Sequence, residues 1–157
     1  MRIAIGTDRN GIKLKEALIE YLTNKGHELI DLGTVDANEP KPYTIVAPAV
    51  ARAIQKGEAD RGILICGTGM GVSIVANKFK GIYAAVVESV YAAENCRKIN
   101  NANVICLGAF MVGEVMAKEM VDVFLKTEFV QGFDQWRADY LTQQLELVNR
   151  LEEENFK

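Results

Sequence analysis

Five short runs of apolar residues recur along the chain, each set apart from the next by a stretch of helical periodicity. They are Ile3–Gly6, Leu29–Leu32, Gly62–Cys66, Tyr83–Val87 and Val104–Leu107. None alternates apolar with polar residues, so both faces of each strand must be covered, as in a parallel sheet between helices. The intervening patterns predict helices over Ile12–Asn24, Tyr43–Gln55, Gly71–Lys78, Val90–Lys98 and Val112–Lys126. In the first of them Leu14, Leu18, Tyr21 and Leu22 give one buried face. The alternation predicts an α/β fold: a three-layer α/β/α sandwich with a five-stranded parallel, Rossmann-like sheet and right-handed crossovers. No composition shift, repeat or low-complexity tract divides residues 1–157, so a single domain is expected. A last helix, about 133–153, carries Trp136, Tyr140, Leu141, Leu145, Val148 and Leu151 with no strand after it to cover. Packing on its own domain and docking across a dimer would both bury that stripe.

One segment carries the chemistry. In Gly62-Ile-Leu-Ile-Cys66-Gly-Thr68-Gly-Met-Gly71 an apolar strand ends in a thiol, and a glycine-rich turn leads directly into a short helix. A cysteine there is commonly only a small hydrophobe. The turn changes that reading, because free backbone N–H groups before a helix favour a thiolate and can hold an oxyanion. A nucleotide loop is the competing assignment. It is not supported, since the loop follows the third strand and has no P-loop lysine.

Ligands gather at the carboxyl ends of strands in such sheets. The expected ends carry Gly6-Thr7-Asp8-Arg9, Cys66-Gly67-Thr68, Val87-Glu88-Ser89 and Leu107-Gly108. Asp8 reads either as a turn or N-cap residue or as a carboxylate aimed at polyol hydroxyls. Asn100, Asn101 and Asn103 lie in a connection that is ordinary turn chemistry, or that supplies one amide to a sugar.

The remaining composition narrows the function. A net charge of −3 without a basic stripe argues against nucleic acid, and no apolar run approaches the roughly 20 residues of a membrane span. The first strand pattern begins at the N-terminus, so no targeting peptide is expected. Cys66, Cys96 and Cys106 are three widely spaced thiols that suit no disulfide framework or zinc pattern, which points to a reducing cytoplasm. Cys96 and Cys106 read as structural. The only histidine, His27, falls in a turn, so Cys–His and Ser–His mechanisms are not expected.

Asp8, the Gly62–Asn77 block, Asn100 and Asn103-Val-Ile-Cys-Leu-Gly108 together resemble the type B ribose-5-phosphate isomerase and galactose-6-phosphate isomerase family over about residues 1–140. The resemblance implies an aldose–ketose isomerase that works through a cis-enediol without metal or organic cofactor. It implies Cys66 as the base, Thr68 as an aid to proton transfer at the oxygens, and the amides of Gly67, Thr68, Gly69, Met70 and Gly71 as enediolate ligands. Asp8 and Asn100 would bind hydroxyls. A homodimer or homotetramer is implied, with Arg137 reaching a partner's site from the last helix.

The departures are specific. Arg9 stands where the family has histidine, and Ile99 where it has the histidine credited with ring opening. Phe110 and Phe133 stand at two arginines expected to hold phosphate, leaving Arg9 and Arg137 as anion ligands. These changes leave several substrates open. One is a tetrose 4-phosphate, which needs no ring opening; another is an unphosphorylated or differently substituted sugar facing an apolar wall of Phe110 and Phe133. The chain could also be the thiol-bearing subunit of a two-component galactose-6-phosphate isomerase. The alternatives from other classes are a non-catalytic sugar-phosphate sensor and, more remotely, a flavodoxin-like carrier.

Overall fold

A computed structural model describes residues 1–156. In chain order the elements are β1 (Arg2–Thr7), α1 (Ile12–Asn24), β2 (Glu28–Asp31), α2 (Tyr43–Gln55), β3 (Arg61–Cys66) and α3 (Met70–Ala76). There follow β4 (Ala84–Val86), α4 (Val90–Lys98), β5 (Val104–Gly108), α5 (Glu114–Lys126) and α6 (Gln135–Asn155). All strand pairs are parallel, and the sheet order is β2-β1-β3-β5-β4. The expected α/β sandwich is present.

Alternate residues of the central strands build two cores. Ile3, Ile5, Ile63, Ile65, Ile105 and Leu107 face one side, where Leu18 of α1 and Met120 and Phe124 of α5 cover them. Ala4, Leu64, Cys66, Val104 and Cys106 face the other, under Val46 and Val50 of α2 and Val72 of α3. The two edge strands lie within one residue of their apolar runs at each end. β2 pairs through Glu28–Asp31 because its only neighbour is Arg2–Ile5 of β1, and that backbone register ignores where the apolar run begins. β4 keeps only Ala84–Val86. Its neighbour Tyr83 turns its N–H to the Asn103 side-chain oxygen at 2.8 Å.

The chain leaves β1 for β2 on one side and then crosses back to β3 on the other. This is a topological switch point, where a crevice opens at the strand ends. Thr7 lies opposite Ile65 and Cys66 opposite Gly108, so Asp8, Cys66 and Gly108 stand abreast across the crevice.

The loop after β2 is stitched to the end of β1 by a buried cation. Lys15 on α1 is 1% exposed, and its ammonium donates to the Asp31 carboxylate and, at 2.8 Å, to the Thr34 carbonyl. The Thr34 N–H donates to the Thr7 carbonyl at 2.8 Å. The Thr34 hydroxyl accepts from the Lys41 N–H at 2.9 Å and donates to the Lys41 carbonyl at 3.3 Å.

A second buried cation shapes the connection before β5. Arg97 on α4 donates to Asn101 Oδ1 at 2.9 Å and to the Ala102 carbonyl at 2.7 Å, and burial pushes its pKa down.

α6 has no buried residue. Polar contacts hold its far end: the Tyr83 hydroxyl to Asn149 Oδ1 at 2.7 Å and the Gly81 N–H to Glu152 Oε1 at 2.7 Å. Between this helix and the body lies a cavity of about 450 Å³, lined by Tyr140, Leu141, Leu145 and Val148 on one side and Ala84 and Ile99 on the other. No helix among the described residues is long and apolar enough to cross a membrane.

Candidate active site

Strand β3 runs apolar to its last residue and delivers Cys66 to the switch-point crevice. The thiol is 6% exposed, and its sulfur accepts the Gly69 N–H at 3.1 Å. Glycine is required at 69 for two reasons. Its φ is +77°, and a Cβ there would stand 3.2 Å from the Cys106 carbonyl oxygen. The same close packing recurs opposite, where a Cβ on Gly108 would stand 2.8 Å from the Thr68 carbonyl carbon. The thiol-bearing loop and the end of β5 thus meet backbone to backbone, locked further by Ala109 N–H to Cys66 O at 2.8 Å and Phe110 N–H to Gly67 O at 3.0 Å.

Around this centre the expected residues fall into two groups. Thr68 and Met70 are exposed at the loop surface, and the Met70 N–H approaches Thr68 Oγ1 at 3.4 Å. Asp8 is half-buried and caps the single 3-10 turn Arg9–Gly11: its carboxylate accepts from the Asn10 N–H at 2.8 Å and Asn10 Nδ2 at 3.2 Å. It also lines a hollow of about 250 Å³ with Arg9, so the two readings of this residue are compatible. The Phe110 ring lies against Gly67, where a Cβ would meet it at 2.8 Å.

Asn100 and Arg137 are not part of this group within one chain. Asn100 precedes β5 and so sits at the amino end of the sheet, whereas Cys66 sits at the carboxyl end. Five residues of strand separate those ends, about 16 Å. Arg137 lies with Phe133, its guanidinium 4.1 Å from the ring centre, and the Lys98 ammonium is 4.6 Å from the same ring. Phe110 and Phe133 therefore form no common wall in one chain.

Two residues of the crevice went unread in the sequence. Lys41 and Tyr43 line the hollow beside Asp8, and the Tyr43 ring packs on Gly71, 3.1 Å from where a Cβ would stand. The signal was available: they follow β2, whose carboxyl end obeys the same rule as the others.

The three thiols are chemically unequal. Cys106 is fully buried, and desolvation pushes its pKa far up. Cys96 is pushed up to about 11 by burial, and its Sγ lies 3.2 Å from the Ala93 carbonyl. Iodoacetamide at neutral pH is expected to modify Cys66 alone and to stop turnover in step with one label per chain. Peptide mapping checks this, and labelling of Cys96 first would contradict it. Among the described residues no group of three or more His, Cys, Asp or Glu could hold a metal ion.

A thiol that accepts the Gly69 N–H at a sheet's switch point, beside an open hollow, has the layout of an α/β enzyme with its crevice at the strand ends. The ribose/galactose isomerase family model matches residues 3–141. The 4-deoxy-4-sulfo-D-erythrose isomerase of Clostridium sp. (strain MSTE9) is 46% identical over 157 residues, covering 100% of this chain and 99% of that protein. The D-erythrulose-4-phosphate isomerase of Pectobacterium atrosepticum is 45% identical, over 84% of this chain and 87% of that one. The structure of Clostridium thermocellum ribose-5-phosphate isomerase B superposes with a TM-score of 0.89 at 40% identity, covering 98% and 99% of the two chains. The chain belongs to the ribose/galactose isomerase family and is an aldose–ketose isomerase.

Proposed function

We propose that this isomerase interconverts the aldose and ketose forms of a four-carbon sugar bearing a terminal anion, through a cis-enediol with Cys66 as the base. The observation that carries the reading is the Cys66 thiol at the crevice, 3.1 Å from the Gly69 N–H and abreast of Asp8. In the aldose-to-ketose direction the thiolate takes the proton from C2. The C–H electron pair forms the C1–C2 double bond, and the carbonyl electrons move to O1, where amides of residues 67–71 stabilise the charge. Thr68 assists transfer of the hydroxyl proton from O2 to O1. The thiol then returns its proton to C1, leaving the carbonyl at C2.

Sugar length follows from Ile99, which cannot carry a proton and so cannot open a ring. A tetrose whose O4 is esterified or replaced closes no furanose and needs no such step. The relatives named for 4-deoxy-4-sulfo-D-erythrose and D-erythrulose 4-phosphate both act on four-carbon sugars, which supports this length. The terminal group is then sulfonate or phosphate.

Asn100 and Arg137, too far from their own Cys66, serve the Cys66 of a second copy in a homo-oligomer. The unburied α6 supports this assembly. Deuterium exchange from D₂O, with the pure protein alone, tests the reading. Exchange beside the carbonyl of 4-deoxy-4-sulfo-D-erythrulose or D-erythrulose 4-phosphate is expected. Exchange only after adding a paralogous chain would favour the two-component isomerase, and ligand binding without exchange would favour a sensor.

A further inference from the structure

We propose that Arg9 and Lys41 together form the seat of the substrate's terminal oxyanion, with Lys41 the residue that sets which sugars are accepted. This rests on the isomerase reading for its location and deepens it. Both residues line the hollow of about 250 Å³ beside Asp8. Neither makes an ion pair or a side-chain hydrogen bond among the described residues. Two cations that line one concavity and pair with no carboxylate repel each other and gain by sharing an anion. The one acid of the hollow, Asp8, already has both oxygens engaged by Asn10.

Lys41 is not a loose surface lysine in its backbone. Its N–H and carbonyl both bind the Thr34 hydroxyl, and Thr34 is tied to β1 through Thr7 and to α1 through the buried Lys15. Ordering of the loop has therefore occurred before any ligand arrives, which lowers the entropic cost of binding.

The placement also matches a short sugar. The hollow flanks the end of β1, and Cys66 ends the adjacent β3, about 4.8 Å away in the sheet direction. A group on C4 lies three bonds from the reacting C2, so its charge falls within reach of β1 when C2 lies at the thiol. The opposite flank of Cys66 carries Phe110, which offers no cation. The polarity of the crevice thus points the anion toward β1. Two cations against one carboxylate leave one net positive charge, enough for a sulfonate or a phosphate monoanion.

Calorimetric titration with 2-hydroxyethanesulfonate and with inorganic phosphate tests the seat, because neither probe can be isomerised. The wild-type chain is expected to bind at least one of them. Lys41→Gln and Arg9→Gln should each weaken that binding about tenfold, the worth of one charge-assisted contact. Lys41→Arg should restore it, and Lys56→Gln, remote on the surface, should change nothing. Tighter binding of the sulfonate would assign the seat to sulfosugars, and tighter binding of phosphate to sugar phosphates; both support it. In turnover, Lys41→Gln should raise KM more than it lowers kcat. Failure of the wild type to bind either probe, or unchanged binding in Lys41→Gln, overturns the seat. If probes bind through Lys41 while no tetrose exchanges deuterium, the seat stands and the isomerase substrate reading falls. If tetroses turn over with KM indifferent to Lys41, the reverse holds.

Discussion

Cys66→Ala is expected to cost at least about a thousandfold in turnover while the chain folds as before. The two effects separate because the thiol holds little of the structure. Its sulfur makes one hydrogen bond, to the Gly69 N–H, and the surrounding loop is fixed by backbone contacts with β5 that do not involve it. Removal leaves a space of one atom, worth about 1 kcal/mol. The proposed proton transfer between carbons, by contrast, finds no imidazole to stand in for the thiol: the only histidine, His27, lies in the turn between α1 and β2, and the Asp8 carboxylate is engaged by Asn10. Steady-state turnover and thermal unfolding of the same preparation check both halves. Residual activity within tenfold of wild type would remove Cys66 from the mechanism.

Lys15→Met should have the largest effect on stability, about 3 kcal/mol, or a fall in Tm of roughly 6–12 °C for a domain of this size. Methionine fills the same buried space, so packing is conserved and only the charge and its donors are lost. The Thr34 carbonyl then loses the ammonium that satisfied it, in a residue with no exposure to water. Asp31 loses its cation but keeps the Gly33 N–H at 3.0 Å and a partly solvated side chain, so it contributes less to the loss. Denaturant titration gives the number. A change below 1 kcal/mol would mean that the loop after β2 holds itself without α1.

The sequence made the sheet legible because three of its strands are buried on both faces. An uninterrupted apolar run has one physical explanation there, and the predicted limits of β3 and β5 fall within one residue of those observed. The edge strands β2 and β4 also fall within one residue of their predicted limits, because Leu29, Ile30, Ala84 and Ala85 still pack against the two cores. Cys66 and its loop were readable because local chain geometry alone makes them a site. Lys41 and Tyr43 were passed over: they follow β2 at some distance, and the tie that brings Lys41 back to β1, through the Thr34 hydroxyl, leaves no local pattern. Asn100 could have been placed better: a residue that precedes a parallel strand stands at its amino end, away from Cys66.

The backbone-to-backbone contact between the Thr68–Gly69 turn and β5 has an evolutionary consequence. Positions 69 and 108 admit no side chain without displacing the main chain opposite, so the centre of the crevice is closed to mutational drift. The side chains of Arg9, Lys41 and Phe110 stand exposed around it and can be exchanged one at a time. Innovation in a scaffold of this kind is confined to its periphery. New sugars would be acquired by changing what surrounds the thiol, while the packed turn beneath it is inherited intact.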